Sequence, residues 1–142
     1  MMLTTKGRYA VMAMTDLAYY GGNTQTISLH DIGNRQEIAL NYLEQIFSKL
    51  KKGNLVLSTK GPGGGYRLSR DAKDISILDV INAVGENIQI TRCEKGEIGC
   101  LENHNKRCFT HSLWGHLTDN IMNYLNSRSL QDICDEANKG RS

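Results

Sequence analysis

Three cysteines and a histidine gather in the second half of the chain. Cys93, Cys100 and Cys108 are separated by six and then seven residues, and His111 follows three positions after the last thiol. Thiolates and a neutral imidazole together ligate soft and borderline metals. Cys108 and His111 are one helical turn apart, so a helix starting there turns both toward one centre. Gly96 and Gly99 free the intervening loop to wrap around it. Three thiolates and one imidazole suit a structural zinc site, although zinc modules commonly pair cysteines two to four residues apart and no C-x-x-C occurs. They suit an iron-sulfur cluster better, since it needs thiolates, occasionally accepts histidine and tolerates irregular loop spacing, and free thiols are the third reading. On ligand chemistry alone, cluster and zinc both stand. Cys134 beside Ile133 reads as a small buried hydrophobe, His104 as a solvated loop residue, and His30 and His116 as surface residues.

A second constellation carries charge. Residues 1–70 hold nine Lys or Arg against four acids, giving +5, whereas residues 71–142 hold eight against eleven, giving −3. The stretch 49–70 contains Lys49, Lys51, Lys52, Lys60, Arg67 and Arg70 with no acid. Such a patch suits a phosphate backbone, because each cation placed on a phosphate releases condensed counterions. No paired acid-base set or activated nucleophile accompanies it, so the reading is a binding protein and not an enzyme. No apolar run approaches the ~20 residues of a membrane span. The first residues lack the apolar core of a signal peptide, which sets the expectation of a cytoplasmic protein with reduced thiols.

The elements that must position these groups follow from periodicity. Thr4 or Thr5 caps a helix with Ala10, Val11, Met14, Leu17 and Ala18 at helical spacing, ended by Gly21-Gly22. Ser28, with Asp31 three residues on, opens a short helix to about Arg35. After a turn at 36–38, a third helix runs from about Ala39 to Lys52 with Leu43, Ile46 or Phe47, and Leu50 inward. These are the proportions of a helix-turn-helix. Two short strands in 55–70 flank Gly61-Pro62-Gly63-Gly64-Gly65 and form a hairpin wing. Ser76 caps a helix to Val84 whose Leu78, Ile81 and Val84 seal the core. Residues 85–107 have no clear period and form a long loop. A final helix, Thr110 to about Asn126, lines up Leu113 or Trp114, Leu117, Ile121 and Tyr124 or Leu125, a face available for dimerisation, with Trp114 packing the helix. The tail from Ser129 forms one capped turn and then frays. The fold class is mainly α with a small β-hairpin: a winged helix-turn-helix region over 1–72 (helix-turn-helix about 29–52, wing about 55–70), then a ligand loop and dimerisation helix over 73–142.

Several of these segments together resemble a known family. Leu3-Thr-Thr-Lys-Gly-Arg-Tyr-Ala-Val11, Tyr42-Leu-Glu-Gln45, Gly61-Pro-Gly-Gly-Gly-Tyr66, Ile81-Asn-Ala-Val84, Thr91-Arg-Cys93 and Cys108-Phe-Thr-His-Ser-Leu-Trp114 resemble the IscR family of bacterial iron-sulfur cluster regulators, over about residues 1–130. The wing and amino-terminal motif are shared with a wider family of winged-helix repressors that includes nitric-oxide sensors. The resemblance implies a homodimer with one 2Fe-2S cluster per subunit on Cys93, Cys100, Cys108 and His111, loaded by the cluster assembly machinery. It implies control of iron-sulfur cluster assembly genes through an operator of approximate two-fold symmetry. The third helix then enters the major groove. Asn41, Tyr42, Gln45 and Ser48 are its readers, and Lys49, Lys51 and Lys52 serve the backbone. Glu44, repelled by phosphate unless it accepts from a cytosine amino group, acts as a sequence filter. Lys60 with Gly61, Pro62, Gly63, Gly64 and Arg67 lies in or over the minor groove. The rival classes are a zinc-stabilised DNA-binding regulator and an iron-sulfur electron carrier.

Overall fold

The computed structural model describes residues 4–86, 88 and 109–140. Helix α1 (Thr5–Tyr20) buries Ala10, Ala13, Met14 and Leu17 on one face and stops at Gly21, after which Gly22 turns the chain at φ 63°. Helix α2 (Leu29–Gln36) begins at Ser28, whose hydroxyl accepts from the Asp31 N–H at 3.1 Å. That bond satisfies one of the amides left open at a helix start. Glu37 adopts φ 57° and redirects the chain into α3 (Leu40–Lys52). The turn is tight: Ile38 N–H donates to the Gly33 carbonyl at 3.1 Å, and a Cβ on Gly33 would stand 2.8 Å from the Ile38 oxygen. Helix α3 buries the expected stripe Leu43, Ile46, Phe47 and Leu50.

Strands β1 (Val56–Thr59) and β2 (Gly65–Leu68) pair antiparallel, with Val56 opposite Leu68 and Thr59 opposite Gly65. The hairpin is anchored at both ends. Val56 and Leu68 enter the core, and Tyr66 exchanges backbone hydrogen bonds of 2.8 Å with Ile27, upstream of α2. A single 3-10 turn (Ala72–Asp74) leads to α4 (Ile77–Ala83), which Ser76 and Asp79 cap reciprocally at 3.0 Å. Its inward residues are Ile77, Val80 and Ile81, followed by Val84. Leu78, expected in the core, is only half-buried, and Val80 takes its place.

Helix α5 (His111–Ser127) is followed by α6 (Leu130–Gly140). The capped turn expected at Ser129 is present but does not fray. It continues as an 11-residue helix, because Leu130 and Cys134 bury one face against the winged domain, with Ile133 beside them. Ser129 and Asp132 cap it reciprocally at 2.9 and 3.1 Å. The junction is strapped to α4: Ile77 N–H donates to the Arg128 carbonyl at 2.9 Å, and Leu130 N–H to the Ile75 carbonyl at 3.0 Å. One core holds Met14, Leu17, Ile32, Phe47, Val80 and Leu130 together. Burial of side chains this size contributes roughly 1.5–3 kcal/mol each.

Among the described residues, one charged side chain is buried in this core. Asp16 is buried, and Arg35 of α2 grips both carboxylate oxygens, Nε to Oδ2 at 2.9 Å and Nη2 to Oδ1 at 2.8 Å. Gln36 Nε2 adds a third bond at 2.9 Å. Arg35 also lies 4.1 Å over the Tyr20 ring, and its hydrogen bond to Asp16 raises its pKa above the ordinary value. A fork-on-carboxylate pair fixes orientation as well as distance, so the helix-turn-helix is locked to α1 at one angle.

Candidate nucleic-acid interface and ligand residues

The outer face of α3 follows directly from the inner one. With Leu43, Ile46, Phe47 and Leu50 buried, a 3.6-residue period leaves Asn41, Glu44, Gln45, Ser48, Lys49, Lys51 and Lys52 exposed. Asn41 Oδ1 accepts from the Tyr42 N–H at 3.0 Å in the first turn. Tyr42 is divided between core and surface: half-buried, its ring meets Tyr9 of α1 edge-on at 5.7 Å. Glu44 is the one acid on this face. The three lysines gather in the last turn, where the helix dipole favours cations.

The wing presents Lys60, Gly61, Pro62 and Gly63 to solvent at its tip. Gly61 and Gly63 have φ 92° and 75°, and a Cβ on either would meet nothing within 4 Å, so glycine serves the backbone turn there. Gly64 and Gly65 answer a different need. A Cβ on Gly64 would lie 2.4 Å from the Thr59 oxygen, and one on Gly65 2.2 Å from the Ile27 oxygen. Gly64 thus closes the wing's own turn, and Gly65 seats the wing on the segment before α2. Arg67 is half-buried and reaches back to the Asn23 carbonyl at 3.5 Å.

The structure adds two residues to this surface, Lys6 and Glu86. Lys6, in the first turn of α1, lines a shallow cleft with Tyr42, Gln45, Ile46 and Lys49. The neighbouring Lys6 ammonium pushes the Lys49 pKa below its ordinary value, and Glu86 opposes the shift. Lys6 stands inside the amino-terminal motif, but no spacing in the sequence relates position 6 to position 49. A contact of that range is visible only in the fold.

Of the proposed metal ligands, His111 is described. It is the first residue of α5, half-buried. Trp114 braces this turn by donating from its indole Nε1 to the Thr110 hydroxyl at 3.0 Å and from its backbone N–H to the Thr110 carbonyl at 3.2 Å. Cys93, Cys100 and Cys108 lie outside the described residues, as does His104. Among the described residues no group of three or more His, Cys, Asp or Glu side chains forms a metal site. His30 and His116 are exposed. Cys134 is buried with Sγ 3.8 Å from the Thr15 carbonyl, and desolvation pushes its thiol pKa up, as befits a core residue.

The apolar face of α5 divides. Ile121 and Leu125 pack against the core, while Leu113, Leu117 and Tyr124 remain exposed along one stripe, with Phe109 exposed just before the helix. The face expected to be continuous therefore belongs half to the winged domain. None of the described helices is long and apolar enough to cross a membrane.

Comparison with known proteins places this geometry. Residues 3–136 match the model of Rrf2, described as iron-dependent transcriptional regulators. An HTH-type transcriptional regulator IscR of Photorhabdus laumondii is 49% identical over 133 residues, spanning 94% of this chain and 79% of the relative. IscR of Escherichia coli O1:K1 is 47% identical over 94% of this chain and 80% of the relative. Among solved structures, CymR, the global cysteine regulator of B. subtilis, superposes with TM-score 0.79 at 29% identity, covering 96% of this chain and 98% of that chain. T. potens IscR superposes with TM-score 0.78 at 33% identity, covering 100% and 92%. The family match extends from the start of α1 through the wing and into α6. The chain belongs to the Rrf2 family of iron-dependent transcriptional regulators.

Proposed function

We propose that two copies of this chain bind an operator of approximate two-fold symmetry, and that a 2Fe-2S cluster on Cys93, Cys100, Cys108 and His111 of each governs that binding. The genes controlled are those of iron-sulfur cluster assembly, and the assembly machinery supplies the cluster. The observation that carries this reading is the position of His111. It opens the same helix whose later residues, Ile121 and Leu125, pack on the hydrophobic core, where α5 lies against α4. A proposed ligand and two residues packed on the core thus share one helix, and α4, which α5 touches, in turn packs on α1 and α3. The relatives named IscR support the cluster, and the donor set fits it: three thiolates with one imidazole on a braced helical turn.

When bound, the cluster supplies a link among its ligands that is sensitive to iron supply and oxidation. The chain does the rest. His111 would offer a ring nitrogen to the cluster from the first turn of α5. Thr110 and Trp114 fix the turn that presents it. Leu113, Leu117 and Tyr124 join the two subunits, setting the separation of the paired α3 helices and hence of the half-sites. On the DNA, Asn41, Tyr42, Gln45 and Ser48 read, Glu44 filters, and Lys49, Lys51, Lys52 and Lys60 hold phosphates, with Arg67 and the Gly61–Gly64 tip following the groove.

The test is substitution of single cysteines in protein purified without oxygen. Cys93→Ala, Cys100→Ala or Cys108→Ala should abolish visible absorption and acid-labile sulfide, Cys134→Ala should retain both, and His111→Ala should give a less stable cluster. His104→Ala is the control. Loss of the cluster in Cys134→Ala with a coloured Cys93→Ala, or zinc in place of iron and sulfide, would overturn the assignment.

A further inference from the structure

The first turn of α1 is not capped by its own flank. Thr4 has the extended backbone of an N-cap yet makes no side-chain hydrogen bond to the helix. The Gly7 N–H donates instead to Glu86 Oε1 at 3.0 Å, across 79 positions of sequence. Glu86 is held from behind. Gly85 turns the chain at φ 78°, and the N–H groups of Gly85 and Glu86 donate to the Asn82 and Ile81 carbonyls at 3.1 and 3.2 Å, at the end of α4. The carboxylate is therefore fixed by backbone on one side and by α1 on the other. Its charge suits a helix start.

Lys6, the residue before Gly7, lines one cleft with Lys49 of α3, and the Lys6 ammonium disfavours the charge on Lys49 while Glu86 opposes that effect. Lys49 is exposed and belongs to the lysine cluster that closes α3. Among the described residues, Glu86 is the carboxylate that acts on Lys49 as an internal counter-charge beside Lys6. Near DNA the phosphates offer a second, and a fixed carboxylate at short range repels those phosphates.

We propose that Glu86 sets the strength of DNA binding, acting as an internal counter-charge that competes with backbone phosphate for Lys6 and Lys49. This rests on the reading that α3 faces DNA. Glu86 contributes no sequence preference, because its partners serve the backbone and not base edges. It limits affinity for all duplexes alike, so that the readers on α3 decide occupancy.

The test is Glu86→Gln in the full chain, which keeps an oxygen acceptor for Gly7 and removes only the charge. Binding to any duplex should tighten by about three- to fivefold at low salt, and the log-log salt slope should steepen by about one unit per protomer. The motif selected from a random library should not change. Glu86→Ala, which removes the cap as well, should lower the melting temperature yet steepen the slope equally, separating charge from capping. A Glu86→Gln protein with wild-type affinity and slope, or with weaker binding at unchanged melting temperature, would overturn the proposal alone. Failure of the wild-type protein to bind any duplex would overturn both this proposal and the reading it rests on.

Discussion

Glu44 is exposed among the candidate readers of α3, where every other charge is positive. A carboxylate facing phosphates costs Coulomb energy unless a donor meets it, and in the major groove that donor is a cytosine amino group. Glu44→Ala should therefore broaden the set of duplexes bound, with the largest gains at poor sites. Operators bearing cytosine at the contacted position should gain least, the discrimination being on the order of 1–3 kcal/mol. Selection from a randomised duplex library, with and without the cluster, reads this directly; identical motifs for wild type and variant would reduce Glu44 to a solvated charge. Asp16 presents the opposite case, an acid whose partners are all internal. Arg35→Ala would leave it buried with Gln36 alone, and stability to urea should fall by about 3 kcal/mol, whereas a loss below about 0.5 kcal/mol would contradict the locking role. The outward residues of α3 are legible because the apolar period names its own complement. Asp16 is not, since nothing in a sequence distinguishes an acid that finds a guanidinium on another helix from one that meets water.

At the scale of elements, the wing is the clearest case of chemistry written into local composition. Its four-residue strands are short, and the hairpin holds because Val56 and Leu68 reach the core while Ile27 adds a third strand-like contact at Tyr66. Glycine density predicts a turn and a close approach. The approach at Gly64 and Gly65 is to the protein's own Thr59 and Ile27, leaving Lys60, Gly61, Pro62 and Gly63 as the outward tip. Lys60→Ala should flatten the log-log salt dependence of operator binding by roughly one unit and weaken all sequences similarly. An unchanged slope would mean that the hairpin does not touch DNA. Helix α6 is less legible for a physical reason. Leu130, Ile133 and Cys134 do carry a helical stripe, but polar residues dominate the segment, and the partner that the stripe needs is α1, against which the strap from Ile75 and Ile77 to Leu130 and Arg128 holds it. Leu78 and Val80 change places for a similar reason, because a seven-residue helix offers too few turns to define its inward face.

Across the whole molecule, the cations of α1, α3 and the wing belong to the winged domain, and the acids Asp132, Asp135 and Glu136 belong to α6, which packs on α1. Fold class and helix order are legible from periodicity, capping residues and the shared motifs. The long-range contacts of Lys6 with Lys49, Glu86 with Gly7 and Arg35 with Asp16 are not, because each depends on how helices pack and not on any local pattern. The apolar face of α5 shows the same limit. Its period announces a buried face, and the fold assigns Ile121 and Leu125 to the core while leaving Leu113, Leu117 and Tyr124 outward. The helix that opens with the proposed ligand His111 thereby packs on the common core, which is why, on the proposed function, occupancy of the ligand set should reach the operator. The most direct measurement is a pair of operator titrations on one anaerobic preparation, one with the cluster intact and one after its removal, with iron and acid-labile sulfide determined in both. The account predicts that the two states differ by at least about tenfold in affinity for some operator class, about 1.4 kcal/mol of coupling, with two-fold-symmetric sites preferred. Superimposable titrations at every duplex, or a preparation that never holds iron and sulfide, would contradict it.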